Sequence, residues 1–265
     1  MTITRNGDIH LSLNATVYKE HNHYTIFRLE LVPRLPALFL KPRRFPPPYP
    51  TFFFLHSYRG SKENLLPLAQ ELARNGFAAL AIDMEYHGKR QQKGKDILSC
   101  DFEDDFQAFK RTLENSLYAL QFLETYDEID GSKLSFVGVS LGAILGVTVC
   151  STYQRFQKAI FIVGGGNFET LVQESMLDSI VEIRYHLLKE RIPLHEALRN
   201  FAPFEPFLFL NATPDDIVPQ KCNFDLYDVA SSPKQLRWFP AGHGLLFTPA
   251  FRVPRKIVEF TLEKY

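Results

Sequence analysis

The hydrophobic positions of this chain change their period near residue 51. Before it they alternate in short blocks, Ile9-Leu11-Leu13 and then Tyr24-Ile26-Phe27-Leu29-Leu31, separated by the turn pairs Asn6-Gly7 and His21-Asn22. Alternation punctuated by such pairs predicts antiparallel edge strands. Lys41 to Pro50 (KPRRFPPPYP) reads as a stiff, proline-rich surface connector. From Thr51 onward, continuous apolar runs of strand length occur at Phe52–Leu55, Phe77–Ile82, Ala159–Val163 and Phe207–Leu210, and further strands are expected at Leu134–Val137 and Gln235–Phe239. Runs without alternation suit strands buried on both faces.

Helical spacing fills the intervals. Leu65, Leu68, Ala69, Leu72 and Ala73 share one face of a helix over 61–75 that Gly76 closes. Phe106, Phe109, Leu113, Leu117, Leu120 and Leu123 line a longer one, Leu141–Val149 reads as a buried helix, and another follows Pro254. Strands alternating with helices imply right-handed parallel crossovers, hence an α/β fold with a doubly wound, mostly parallel sheet and antiparallel strands at its N-terminal side. The N-terminal forty residues either extend the sheet or mediate a homodimer; the pattern leaves both open. One interval breaks the rhythm. Between Gly166 and Pro206 the apolar positions Leu171, Met176, Ile180, Ile183, Leu187 and Leu188 are helical in spacing and no strand appears. A structureless loop of that length is improbable inside a domain, so 167–205 is expected to be a small helical cap inserted into a single domain spanning 1–265.

Composition narrows the function classes. Thirty Lys and Arg balance thirty Asp and Glu, so the clustered basic excess of a nucleic-acid binder is missing. The three cysteines (Cys100, Cys150, Cys222) are odd in number and lack a CxxC spacing, which argues against a disulfide framework or structural zinc and fits a reducing, cytoplasmic setting. The N-terminus has no basic segment followed by an apolar run, so no signal peptide is expected. Leu134–Gln154 carries no charge and is long enough to cross a bilayer, but Ser135, Gly138, Ser140 and Gly142 interrupt its first half. A strand followed by a buried helix explains it better, and no membrane association is expected. The 24 phenylalanines are mostly core, with an apolar pocket as a further use.

Gly138-Val139-Ser140-Leu141-Gly142 is the sharpest chemical signal. It lies directly after a buried strand and opens a helix, where a nucleophilic serine sits on a tight turn. The helix N-terminus beneath favours developing negative charge. A serine needs a base and the base an orienting carboxylate. In the order Ser, Asp, His, the sequence supplies Asp215 and Asp216 in the loop after Phe207–Leu210, and His243 in Gly242-His243-Gly244 after Gln235–Phe239. Each loop follows the C-terminal end of a strand, where open α/β sheets place their sites.

These residues resemble the α/β-hydrolase superfamily over roughly Thr51 to Tyr265, most closely its bacterial esterase and dienelactone-hydrolase-like branch. His56-Ser57-Tyr58-Arg59-Gly60-Ser61-Lys62-Glu63 is similar to that branch's His-Gly-x-x-Gly-Ser-Lys-Glu, and Asp83-Met-Glu-Tyr-His87-Gly88 to its Asp-x-x-x-His-Gly turn. The resemblance implies Ser140 as nucleophile, His243 as base and Asp215 as orienter, with backbone amides of Leu141 and Tyr58 as an oxyanion hole. Asp215 fits the Asp-x-x-Val-Pro spacing; Asp216 lies in the same loop. Ser57 departs from the usual glycine, and serine does not reach positive φ cheaply. His56 and His87 are read as supporting the oxyanion loop by hydrogen bonds. His21-Asn-His23 lacks a third metal ligand, Gly164-Gly165-Gly166 reads as a flexible junction into the cap, and the basic run Lys89–Lys95 as a solvated surface with a minor steering role. No metal or cofactor is expected. The implied activity is serine-dependent cleavage of a small-molecule carboxylic ester, short acyl or aromatic. Thioester or amide hydrolysis by the same triad, or a silent fold used for binding, are the alternatives.

Overall fold

The structure, a computed structural model, describes residues 14–31, 34–99, 101–182, 206–231 and 233–263. Its nine strands are β1 (Asn14–Glu20), β2 (Tyr24–Glu30), β3 (Pro36–Pro42), β4 (Tyr49–Leu55), β5 (Ala78–Ile82), β6 (Ile129–Val139), β7 (Lys158–Ile162), β8 (Phe207–Ala212) and β9 (Lys234–Phe239). They form one sheet in the order β1-β2-β3-β5-β4-β6-β7-β8-β9. β1 to β3 are antiparallel to one another and β3 is antiparallel to β5, while all pairings from β5 to β9 are parallel. The N-terminal segment therefore extends the sheet.

Both faces of β4, β5, β7 and β8 are covered, which is why these strands read as apolar runs, whereas the edge strand β9 is only half-buried. On one face α2 (Phe102–Thr125), α3 (Leu141–Tyr153) and α5 (Gln220–Val229) pack over Phe53, Phe136, Phe161, Phe207 and Phe209. Phe53 opposes Phe136 in register and Phe161 opposes Phe209, so these rings form a ladder across four strands with centroids 5.6–6.4 Å apart. Much of the phenylalanine excess is used here, in the core. On the other face α1 (Leu66–Arg74) and α6 (Val253–Leu262) cover Phe52, Phe54, Val137, Ile160 and Leu208.

Two boundaries differ from the sequence expectation. The connector at 41–50 shrinks to 43–48, because Lys41 and Pro42 end β3 and Tyr49 and Pro50 begin β4. Pro36 and Pro42 sit at strand ends, where a missing N–H donor costs least, so the prolines that suggest a loop bracket a strand. β6 starts at Ile129 rather than Leu134, and its register against β4 shifts between Tyr49 and Thr51, which erases the alternation across Asp130–Lys133. Of the expected cap at 167–205, residues 183–205 lie outside the described residues. Inside them are α4 (Phe168–Glu174) and a helical stretch over 178–182. Among the described residues no helix is long and apolar enough to cross a membrane.

Candidate active site

Loops at the C-terminal ends of β6, β8 and β9 each deliver one side chain to a common point. Ser140 follows β6 with φ 52° and ψ −117°. That conformation costs a side-chain-bearing residue about 1–3 kcal/mol and persists only where the surroundings over-determine it. Here its N–H donates to Ile162 O at 2.9 Å and its carbonyl accepts from the N–H groups of Ala143 and Ile144 at 2.8 and 2.9 Å. The flanking glycines answer to space. A Cβ on Gly138 would stand 2.5 Å from Gly142 O, and one on Gly142 would stand 2.4 Å from both Leu55 O and His56 O. The positive φ falls on the serine itself.

His243 Nε2 lies 2.7 Å from Ser140 Oγ. Its Nδ1 lies 2.9 and 3.0 Å from the two carboxylate oxygens of Asp215. Asp215 has a side chain only 1% exposed, and its Oδ1 also accepts the N–H groups of Ile217 and Val218 at 2.9 and 3.0 Å. A carboxylate only accepts, so Nδ1 carries the donated proton and the Nε2 lone pair faces the serine hydroxyl. Asp216 is exposed and takes no part in this chain; its backbone carbonyl accepts Met176 N–H at 2.7 Å. The structure thus joins Ser140, His243 and Asp215 and leaves Asp216 aside.

The two amides expected to hold an oxyanion belong to Leu141 and Tyr58. Leu141 is the first residue of α3, where an N–H has no intrahelical acceptor. The carbonyl of Ser57 accepts Gly60 N–H at 3.0 Å and His56 Nδ1–H at 2.8 Å. Because N–H and C=O oppose each other across a trans peptide, this anchors the Tyr58 N–H pointing the other way. Ser57 does not take a positive φ; Arg59 does, at 54°. Glycine's freedom is not required at position 57.

His56 and His87 are both buried. Nε2 of His56 accepts Met84 N–H at 3.1 Å, which requires the neutral ring, and burial depresses its pKa to about 4. His87 donates from Nδ1 to Glu85 O at 2.8 Å and is likewise lowered by burial. Beneath them lies a polar floor that the sequence does not announce. Asp83, fully buried, meets Lys62 Nζ at 2.5 Å and accepts the N–H groups of Lys62 and Lys89, each at 2.9 Å. Glu85 pairs with Arg90 and, at 3.1 Å, with Arg111. Lys62 and Asp83 each lie in one of the two motifs quoted above, but their pairing across 21 residues is not readable from local pattern.

The described part of the insertion touches both sides of the site. Met176 holds the Asp216 carbonyl. Ser179 Oγ lies 3.0 Å from the Tyr58 hydroxyl, which donates to Asp96 at 2.8 Å, and accepts from Arg59 at 3.1 Å. Gly164 and Gly165, expected to be a flexible junction, are instead tight contacts: a Cβ there would stand 2.5 Å from Ala143 Cβ and 2.7 Å from Cys222 Cβ. His21 stacks on His23 and Tyr24 in the β1–β2 turn, and among the described residues no three His, Cys, Asp or Glu side chains are grouped to hold a metal.

A family model described as the Dienelactone hydrolase family matches residues 35–249. The chain belongs to that family. This family membership places it among esterase-like hydrolases of the α/β-hydrolase superfamily. A relative named "Putative esterase YitV", from Bacillus subtilis (strain 168), is 25% identical over 238 residues, covering 81% of this chain and 87% of the relative. Among solved structures, acetyl xylan esterase 1 from Thermoanaerobacterium sp. JW/SL YS485 superposes with a TM-score of 0.70 at 16% identity, covering 93% of this chain and 88% of that one. Est1E from Butyrivibrio proteoclasticus, solved with ferulic acid bound, gives 0.66 at 15% identity over 86% and 95%. At such identities the structural likeness bears on the fold alone.

Proposed function

We propose that the protein is a serine hydrolase cleaving carboxylic esters, short acyl or aromatic, through an acyl-enzyme. The observation that carries this reading is the chain of hydrogen bonds from Ser140 Oγ through His243 to Asp215. In the proposed route Ser140 Oγ attacks the ester carbonyl while its proton passes to His243 Nε2. Asp215 steadies the imidazolium, and the tetrahedral oxyanion faces the N–H groups of Leu141 and Tyr58. The C–O bond to the alcohol breaks, the alcohol leaving with the Nε2 proton. Water then attacks the acyl carbon, gives a proton to Nε2, and the acid departs as Oγ recovers that proton. The step needs no metal and no cofactor. Ser57 takes no positive φ, so its departure from glycine lends no support to a catalytically silent fold.

Hydrolysis of p-nitrophenyl esters from acetate to decanoate tests the reading, with the chain-length profile sizing the acyl pocket. Ser140→Ala is expected to lose about 10⁴-fold or more in kcat. Asp215→Asn is expected to lose on the order of 10³–10⁴-fold, and Asp216→Asn to stay within about twofold because its side chain makes no bond to the histidine. Undiminished turnover in Ser140→Ala would overturn the mechanism.

A further inference from the structure

The C-terminal edge of the parallel strands does not end at the triad. Because β3 runs antiparallel to β5, with Ala37 opposite Ile82, the start of β3 and the end of β2 stand on the same edge as the loops bearing Ser140, Tyr58 and His87. Along that edge, in the sheet order β6, β4, β5, β3, β2, lie two adjacent depressions. The nearer has a volume of about 480 Å³ and is lined by Arg59, His87, Lys93, Lys95 and Asp96 among others. The farther, about 770 Å³, is lined by Arg28, Arg34, Lys89, Arg90, Glu30 and Glu85 among others. Gln91 and Gln92 belong to the walls of both.

The charge here is lopsided. Seven cationic side chains line the two depressions against three carboxylates, in a chain whose formal net charge is zero. Glu85 is already saturated by Arg90 and Arg111, and Asp96 accepts the Tyr58 hydroxyl and Leu98 N–H. Among the described residues Arg34, Lys89 and Lys93 take no carboxylate partner. The backbone beneath two of them is held: Lys89 N–H is bound to Asp83, and Arg34 N–H to Glu30 Oε1 at 3.2 Å. Unpaired cations around a concave surface repel one another unless an anion joins them, and they raise the local concentration of one. Each volume exceeds what a single phosphate or carboxylate fills.

We propose that this cleft binds a small polyanion, a molecule bearing several phosphate or carboxylate groups, and that it holds the charged portion of the ester cleaved at Ser140. The second half rests on the serine-hydrolase reading; the first does not. Arg34, Lys89 and Lys93 supply charge-assisted bonds, and Gln91 and Gln92 supply amide donors between the two lobes. The Tyr58 side chain meets Asp96 and His87 of the nearer lobe, and in the proposed pose the uncharged end of the molecule reaches past it toward Ser140.

Calorimetric titration of the full chain with tripolyphosphate and with trigalacturonate tests the site without requiring turnover. At least one is expected to bind wild type, to bind about tenfold or more weakly to Arg34→Ala/Lys89→Ala, and to weaken steeply with added salt. The Lys256→Ala variant, which removes a cation on α6, is expected to bind as wild type does. Which of the two binds separates phosphate from carboxylate recognition. Absence of binding by both, or binding that survives in the double variant, overturns the site. For the substrate role, acetylated trigalacturonate is compared with an acetylated neutral galactose trimer. The charged ester is expected to have a kcat/KM about tenfold higher, carried by KM and abolished in the double variant; equal values overturn that role. If p-nitrophenyl acetate is not hydrolysed by wild type, the serine-hydrolase reading fails, while the titration still decides the cleft.

Discussion

The loops on the two sides of Ser140 are held rigid by opposite means. The elbow between β6 and α3 is held by steric fit: Gly138 and Gly142 let backbone meet backbone at distances no side chain tolerates, and the strained serine is fixed by main-chain hydrogen bonds to β7 and α3. The loops after β4 and β5 are held by buried polar groups, with Asp83, Lys62, His56 and Glu85 each satisfied by partners from neighbouring segments. A close-packed loop fails when volume is added. A hydrogen-bonded loop fails when one partner is removed, because the other is stranded in a low-dielectric site.

The largest expected effect separates these modes of failure. Asp83→Ala leaves the buried Lys62 ammonium with the half-exposed Glu63 as its remaining carboxylate and deprives two backbone donors of their acceptor, and should cost about 3–5 kcal/mol in urea unfolding. Lys62→Met should cost less, since both backbone N–H groups still hold the carboxylate. The reverse order would mean that the ion pair, rather than the loop hydrogen bonds, organises this side. Next, Gly142→Ala pushes a methyl into Leu55 O and His56 O and should cost about 2–3 kcal/mol. A neutral result would break the steric account of the elbow.

A third test uses pH. His56 is held neutral in the folded chain, its pKa lowered to about 4, whereas an unfolded histidine titrates near 6.5. Between those values the unfolded state binds the extra proton, so stability falls as pH drops from 6.5 towards 4 and is fully present above 6.5. Wild type should lose on the order of 1–3 kcal/mol across that window, and His56→Gln less; equal losses in both would remove His56 as the cause. Ser140→Gly should be inactive yet about 1 kcal/mol more stable than Ser140→Ala, because glycine accepts φ 52° without strain. Smallest of all, Ser57→Gly should cost under about 1 kcal/mol and leave ester turnover within about twofold, since position 57 never needed positive φ.

What the sequence discloses follows from the range of each interaction. Ser140, Asp215 and His243 are legible because a nucleophile elbow and loops after strands leave local marks, and the covered strands β4 to β8 because two-sided burial leaves apolar runs. β3 is hidden because Pro36 and Pro42 punctuate it like a loop. The role of Gly164 and Gly165 is hidden because their close contacts, Ala143 and Cys222, lie far along the chain. The pairing of Lys62 with Asp83, and the gathering of cations from β2 to the 89–95 segment, exist only once the strand order is known.

The bond between Ser140 and His243 spans 103 positions of sequence. During synthesis the elbow can form as soon as β4, β6 and β7 have paired, long before position 243 has been added. On the proposed mechanism, a chain in which β9 has not docked against β8 holds Ser140 without its base, and its hydroxyl is expected to be unreactive. If the proposed mechanism holds, labelling of that one hydroxyl by a fluorophosphonate reports arrival of the C-terminal strand, a folding clock that runs on chemistry rather than on spectroscopy.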